Sequence, residues 1–155
     1  GAVYNHGAAF KIAADCMLKR ADTAYKTLKM ISFDNPKNPE NGVEPYAVSN
    51  MYMGPENKYI AGYAPMSWIT GTAGWLYRCV TEFMCGVKPT FDGLEVSPCL
   101  PAEWDGVTVK RIFRGETYEI TYERSDIKQL ICDGKPVKKL PLTGKGSVHN
   151  VICKF

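Results

Sequence analysis

The sequence has 155 residues, of which 45% are hydrophobic and 23% are charged. This composition is typical of a folded globular protein and excludes an intrinsically disordered chain. The formal net charge of +3 is spread along the chain, and no segment of about 20 apolar residues is present to span a bilayer. We therefore expect no nucleic-acid partner and no membrane partner.

The cysteines show neither CxxC pairs nor the Cys/His spacing of a metal site, so the sequence predicts no metal centre. Most have apolar neighbours, which favours free thiols that act as small hydrophobic residues in a reducing, cytoplasmic compartment. The chain begins with Gly, which a cleaved tag, a processed product or an excised piece of a longer protein would each explain. The six cysteines are Cys16, Cys79, Cys85, Cys99, Cys132 and Cys153.

The first half of the chain has helical periodicity. Residues 8–31 place apolar side chains at helical intervals and predict one long helix or a tight helical pair. Residues 33–49 contain three prolines among Asn and Gly, which predicts an unusually long loop. Residues 67–86 are apolar on nearly every side and predict a buried helix, with Trp68, Trp75 and Phe83 as core residues.

The periodicity changes after Pro89. Five short segments rich in β-branched and aromatic residues are separated by Gly-containing turns, which predicts antiparallel strands. The alternation over residues 118–122 marks a strand with one buried face, and the set predicts a sandwich of about 5 to 7 strands. The predicted fold class is α+β. The segments are LEVSPCL, VTVKRIFR, TYEITYER, IKQLIC and HNVICKF.

Four stretches of the chain resemble a known family. They are VYNHGAAFKIAADC from residue 3, EPYAVSNMYMGPEN from residue 44, PMSWITGTAGWLYR from residue 65, and GVKPTFDGLEVSPCLPAEWDGVTVKRIFRGETYEI from residue 86. In this order they resemble the C-terminal part of glycoside hydrolase family 94, the cellobiose phosphorylase group, over about residues 1–124. The resemblance implies that residues 1–88 are the last helices of an incomplete (α/α)6 catalytic barrel. Residues 89–155 would then form the C-terminal β-sandwich.

The resemblance also implies an activity, inverting phosphorolysis. Inorganic phosphate attacks the anomeric carbon of a β-linked glucoside such as cellobiose, giving α-glucose 1-phosphate and a sugar acceptor. Phosphate is a substrate, and no cofactor is expected. In the family the general acid is an Asp, and it lies upstream of this region together with phosphate-binding arginines. The resemblance therefore places no catalytic residue in this chain, which alone should be inactive without the roughly 600 residues expected before it. The full-length enzyme is expected to be a homodimer.

The same resemblance assigns phosphate binding to His6, Thr70 and Gly71. His6 precedes a helix, where unpaired N–H groups favour an anion. The residues alone leave a plainer interpretation open, in which Asn5 caps the helix and His6 is an ordinary turn residue. For Thr70 and Gly71 the plainer interpretation is close helix packing.

Asn50 and Glu44 are the candidate sugar-binding residues. Asn50 stands where several family members carry a Gln that contacts the sugar, and an amide is retained. Tyr46 and Tyr52 are weaker candidates, because aromatic residues fill cores more often than they stack on sugars. Two further residues are predicted to be structural or exposed, Trp104 in a turn and His149 in the last strand.

Two other functions stay open at this point. One is a noncatalytic carbohydrate-binding module formed by the β-sandwich, with the helices as a linker. The other is a related helical-barrel phosphorylase or hydrolase that acts on α-linked sugars. The acceptor sugar is not determined by this sequence.

Overall fold

The chain forms two compact units, Gly1–Val80 and Thr81–Phe155, in a computed structural model that describes residues 1–35, 42–44 and 46–155. The predicted loop over 33–49 lies partly outside the described residues. The domain boundary that the family resemblance predicts after residue 88 is a different boundary from that of the compact units, and it stays a prediction. Within the described ranges, no helix has the length and apolarity needed to cross a bilayer.

The described residues of the first unit form three α-helices and one short antiparallel strand pair. The predicted helical pair is confirmed, with Lys19 in a left-handed conformation (φ 59°) in the turn between its helices. A π-helical turn, Cys79–Met84, follows the third helix. The elements are β1 Ala2–Tyr4, α1 Asn5–Met17, α2 Ala21–Ile31, β2 Met51–Met53 and α3 Thr72–Arg78.

Small residues let the helices of this unit approach α1 closely. Ala9 is fully buried on α1, and its carbonyl oxygen accepts a hydrogen bond from the Cys79 thiol at 3.2 Å. Strand β1 pairs with β2 so that Tyr4 lies opposite Met51, and the Asn5 N–H donates to the Asn50 carbonyl oxygen at 2.9 Å. This pairing fixes where α1 begins and therefore where His6 lies.

The predicted helix over residues 67–86 begins later than expected. The first helical residue is Thr72, whose N–H donates to Thr70 Oγ1 at 3.0 Å, so the preceding residues form a turn instead. Trp68 is 80% exposed in this chain, and its predicted core position is wrong. Trp75 and Phe83, the other two predicted core residues, are half-buried.

The second unit contains a five-stranded sheet in the order β5-β6-β10-β7-β8 and a three-stranded sheet in the order β3-β4-β9. All five predicted segments contain strands, and the α+β fold class is confirmed. One pair departs from the antiparallel pattern, since β6 and β10 run parallel. Parallel strands need a long connection, and here the connection from β6 to β10 contains β7, β8 and β9. The strands are β3 Val87–Thr90, β4 Gly93–Val96, β5 Thr108–Phe113, β6 Glu116–Glu123, β7 Gln129–Cys132, β8 Lys135–Val137, β9 Leu140–Pro141 and β10 Val148–Lys154.

Strand β6 has the predicted alternation, with Tyr118, Ile120 and Tyr122 buried on one face. The two tyrosine hydroxyls reach backbone carbonyls at the three-stranded sheet. Tyr118 donates to the Pro141 oxygen at 2.7 Å, and Tyr122 donates to the Cys85 oxygen at 2.6 Å. Buried hydroxyls need such partners, so these bonds fix β6 against the residues around β3 and β9.

Gly86 occupies a position that excludes any side chain. Its φ is +71°, and a Cβ there would lie 2.1 Å from the Ser97 carbonyl oxygen, which is backbone and has little freedom to move. Gly106 has a similar φ of +65° with no atom within 4 Å of the Cβ position.

We expect Gly106→Ala to cost about 1–2 kcal/mol of unfolding free energy, since only the left-handed conformation opposes it. Gly86→Ala should cost about 1–3 kcal/mol more, because the methyl group also collides with backbone. Urea unfolding followed by circular dichroism measures both variants. Equal losses for the two variants would contradict the contact at Ser97.

Candidate functional site

His6 and Gly71 lie in contact, although the numbering separates them widely. His6 is in the first turn of α1, and Gly71 directly precedes α3. A Cβ at Gly71 would lie 2.8 Å from His6 Cε1 and 3.2 Å from His6 Nε2. The imidazole therefore packs against the bare Cα of Gly71, and Thr70 is the adjoining residue.

Aromatic rings surround the imidazole of His6. The ring centroids of Phe10 and Trp75 lie 4.7 and 6.4 Å away, and the Tyr4 hydroxyl oxygen is 3.4 Å from Nδ1. The other ring nitrogen, Nε2, is shielded from solvent and has no hydrogen-bond partner among the described residues. A shielded polar atom without a partner costs about 1–3 kcal/mol, so Nε2 marks a place where a ligand oxygen would be favourable.

The Thr70 hydroxyl takes part in the turn that precedes α3. Thr70 Oγ1 accepts the Thr72 N–H and lies 2.6 Å from Thr72 Oγ1. Thr72 is fully buried. If Thr72 donates its hydroxyl proton in this contact, the proton of Thr70 stays available to a ligand.

Asn5 links His6 to the segment that carries Asn50. The Asn5 side-chain Nδ2 donates to the Ser49 carbonyl oxygen at 3.1 Å, and the residue is fully buried inside α1. The helix cap is Tyr4, so the interpretation of Asn5 as a capping residue is wrong. The side-chain oxygens of Asn5 and Asn50 are shielded and have no partner in the described part of the chain.

Glu44 and Thr70 line one cleft of about 330 Å³. The Trp68 indole N–H donates to Glu44 Oε1 at 2.9 Å. Hydrogen bonds from the Ser67 side chain, from the Glu44 backbone and from Trp68 hold the pKa of Glu44 below its usual range. Glu44 is therefore ionised near neutral pH and acts as an acceptor. The cleft is lined by Glu44, Tyr46, Ala47, Val48, Ser67, Trp68, Thr70 and Ala73.

The predicted residues therefore fall into two groups. His6, Gly71 and Thr70 are contiguous, and Thr70 also faces the cleft that contains Glu44. Asn50 does not line that cleft and joins the first group through Asn5. The weaker candidate Tyr52 is 5% exposed in β2 and is a core residue, whereas Tyr46 is exposed at the cleft.

Sequence reasoning missed Asn5 and the exposed position of Trp68. The sequence indicates Asn5 only as a cap, because Asn before an Ala-rich helix is a common capping signal. The signal for Trp68 was Pro65, which together with Gly71 indicates a turn before the helix.

Comparison with known proteins gives consistent matches. Residues 1–86 match the family model described as the Glycosyl hydrolase 94 superfamily, catalytic domain. The chain is 41% identical to a solabiose phosphorylase from Paenibacillus borealis, over 97% of this chain and 21% of that protein. It is 34% identical to an N,N'-diacetylchitobiose phosphorylase from Vibrio proteolyticus, over 98% of this chain and 20% of that protein. The chain thus spans about a fifth of the length of these relatives.

The contact between His6 and Gly71 can be tested with a matched pair of variants. Gly71→Ala should displace the His6 ring and cost about 1–3 kcal/mol of stability, because the new methyl group overlaps Cε1. Gly74→Ala places its methyl in open space within α3 and should gain about 0.5–1 kcal/mol.

The chain has only two histidines, so NMR of the imidazole nitrogens measures the displacement directly, with His149 as the internal reference. The His6 signals should move in the Gly71 variant alone. Unchanged His6 signals in Gly71→Ala would contradict the contact.

Proposed function

The chain belongs to the glycosyl hydrolase 94 superfamily, and we propose that it is the phosphate-binding part of an inverting disaccharide phosphorylase. In the proposed reaction a phosphate oxygen forms a bond to the anomeric carbon of a β-linked glucoside such as cellobiose. The bond from that carbon to the bridging oxygen breaks. The bridging oxygen takes a proton from a general acid, and α-glucose 1-phosphate and the acceptor sugar leave.

The observation that carries this proposal is the unpaired Nε2 of His6 beside the bare Cα of Gly71. Phosphate oxygens accept hydrogen bonds, and an imidazole nitrogen, a hydroxyl and a backbone N–H can all donate them. A site that binds phosphate has to collect donors from several directions. His6, Thr70 and Gly71 supply the three donor types, and the missing Cβ of Gly71 lets the imidazole lie against its backbone.

A phosphate pocket also explains why the proposed reaction needs only one catalytic carboxyl group. An inverting hydrolase uses one carboxylic acid to protonate the leaving group and one carboxylate to activate water. Phosphate is already an anionic nucleophile, so donors that hold it replace the second carboxylate. We propose that the general acid lies in the part of the enzyme outside this chain, in line with the length of the relatives.

The cleft beside Thr70 has the chemistry of a sugar subsite. Glu44 is an ionised acceptor for sugar hydroxyls, and the exposed indole of Trp68 offers a flat apolar face to a sugar ring. Trp68 donates to Glu44, which keeps both groups in place. Asn50 and Asn5 present shielded carbonyl oxygens that a sugar hydroxyl or a side chain from the rest of the enzyme would satisfy.

The remaining features of the proposal concern the whole enzyme. The relatives act, by their names, on solabiose, N,N'-diacetylchitobiose and, in a Neurospora crassa protein, cellobionic acid, so the acceptor of this enzyme stays open.

We propose that the whole enzyme is a homodimer without a cofactor. All six cysteines are free thiols, which favours a reducing, cytoplasmic location. A carbohydrate-binding module is disfavoured, because the candidate site lies in the helical unit.

His6→Ala in the full-length enzyme should lower kcat/KM for phosphate by about 1.5–3 kcal/mol, or about 10- to 150-fold, through loss of a charge-assisted hydrogen bond. The KM for the disaccharide should change much less. Trp68→Ala is the matched control at the adjoining cleft, with the reverse pattern of a raised disaccharide KM and a nearly constant phosphate KM. Steady-state kinetics with each substrate varied in turn measures both. Unchanged phosphate kinetics in His6→Ala would remove His6 from the site.

The 155-residue chain alone should release no glucose 1-phosphate from cellobiose and phosphate, since the proposed general acid is elsewhere. A coupled phosphoglucomutase assay provides the measurement, with the full-length enzyme as the positive control. Phosphorolysis by the pure chain would place the general acid within it.

A further inference from the structure

Three side chains with different metal-binding atoms meet at the end of β7. Cys132 is the last residue of β7, Asp133 begins the turn into β8, and His149 lies on the neighbouring strand β10. The ligand atoms of these three residues lie within 4.8 Å of one another. All three residues belong to the second unit, whereas the residues of the candidate phosphate site belong to the first.

The backbone positions Asp133 for this cluster. Asp133 and Gly134 both have positive φ, 49° and 77°, as the two central residues of a type I′ hairpin turn do. Asp133 Oδ1 accepts the Asn150 N–H at 2.9 Å, which extends the pairing of β7 with β10. The other oxygen, Oδ2, is left to face His149 Nδ1 at 2.7 Å and Cys132 Sγ at 3.7 Å.

His149 is held from its other side. Its ring stacks on Tyr118 with the centroids 4.9 Å apart, and Nε2 lies 3.1 Å from Glu116 Oε2. Glu116 Oε2 also accepts the Thr143 N–H at 2.8 Å, so it acts as an acceptor. Metal-binding histidines usually donate their second ring nitrogen to a carboxylate in this manner, which orients the ring.

The two nitrogens of His149 thus each face a carboxylate oxygen. A ring protonated on both nitrogens can donate to both carboxylates, and a neutral ring can accept a hydrogen bond at Nε2 from the Thr143 hydroxyl, whose oxygen is 3.1 Å away. A metal ion on Nδ1 would leave the Nε2 proton to Glu116. Without a metal ion, the Cys132 thiol is a weak hydrogen-bond donor to Asp133 Oδ2, 3.7 Å away. A metal ion would use all three groups.

We propose that Cys132 Sγ, Asp133 Oδ2 and His149 Nδ1 bind a divalent transition-metal ion of the zinc type. Thiolate and imidazole ligands favour Zn²⁺ or Co²⁺ over Mg²⁺ and Ca²⁺, which prefer oxygen ligands. Binding releases to solvent the thiol proton and any proton on Nδ1. The Asp133 side chain is half-exposed, so water can take the fourth position of a tetrahedral site.

The three ligand atoms lie within 4.8 Å of one another, so tetrahedral zinc geometry requires movements of about 1 Å. Zinc–nitrogen and zinc–oxygen bonds of about 2.0–2.1 Å at a tetrahedral angle set the Nδ1 to Oδ2 distance at about 3.3 Å. The present separation of 2.7 Å therefore has to widen by about 0.6 Å. The ion would join the β7–β8 hairpin to β10.

Cobalt titration of the reduced 155-residue chain tests the site. One equivalent of Co²⁺ should produce the visible bands of tetrahedral cobalt and a near-ultraviolet thiolate-to-cobalt band, both removed by excess Zn²⁺. Cys132→Ser should abolish the thiolate band. Cys153→Ser is the matched control, a thiol buried to the same extent on β10 and outside the cluster, and it should keep the band.

The Asp133→Asn variant distinguishes an effect on metal binding from an effect on folding. Asn tolerates the left-handed backbone of residue 133 and retains an oxygen for the Asn150 N–H, so circular dichroism should stay unchanged. Loss of the charge should weaken Co²⁺ binding at least about tenfold. Absence of the bands in the parent chain, equal loss in both cysteine variants, or unchanged affinity in Asp133→Asn would each overturn the proposal.

Discussion

The candidate site depends on one close approach, that of the His6 imidazole to the Cα of Gly71. The Cβ position at Gly71 lies only 2.8 Å from the ring, so no other residue fits there without moving His6. Two independent parts of the fold produce this approach. The β1–β2 pairing sets the start of α1, and the Thr70–Thr72 turn sets the start of α3. A change in either would separate the imidazole from the Thr-Gly pair, because both groups lie at helix starts and neither is held by a long strand.

The site divides into a region of donors and a region of acceptors, and this division matches the two proposed substrates. Phosphate presents mainly acceptors, and His6, Thr70 and Gly71 present donors. A sugar presents hydroxyls that can donate, and the Glu44 carboxylate in the adjoining cleft is an acceptor. Thr70 borders both regions. The two substrates would therefore meet beside Thr70, which is the arrangement that attack of phosphate on an anomeric carbon requires.

The sequence predicts those features that depend on neighbouring residues. Helical spacing predicts α1 and α2, and alternation predicts the buried face of β6 at Tyr118 and Tyr122. The family resemblance brings His6 and Gly71 together in one proposed site, which spacing alone does not do. Patterns of neighbouring residues do not predict contacts that depend on the order of the strands in a sheet. The parallel pairing of β6 with β10 places His149 beside Tyr118, and no spacing of residues in the chain indicates it. For the same reason the sequence predicts only a structural or exposed position for His149 and does not indicate that Asp133 and Glu116 flank its ring.

The cluster around His149 also bears on how the second unit is stabilised. Small β-units bury limited apolar surface and often rely on disulfides or metal ions. The cysteines of this chain are all free thiols, so disulfides do not contribute here. The Glu116–His149–Asp133 contacts instead connect β6, β10 and the β7–β8 turn, three parts of the chain that only the sheet order brings together. Glu116 and His149 are buried, so removal of either would leave the other without this partner, whereas Asp133 is half-exposed and its loss should cost less. The contacts therefore add a side-chain link between β10 and its two neighbours to the backbone pairing that already joins these strands.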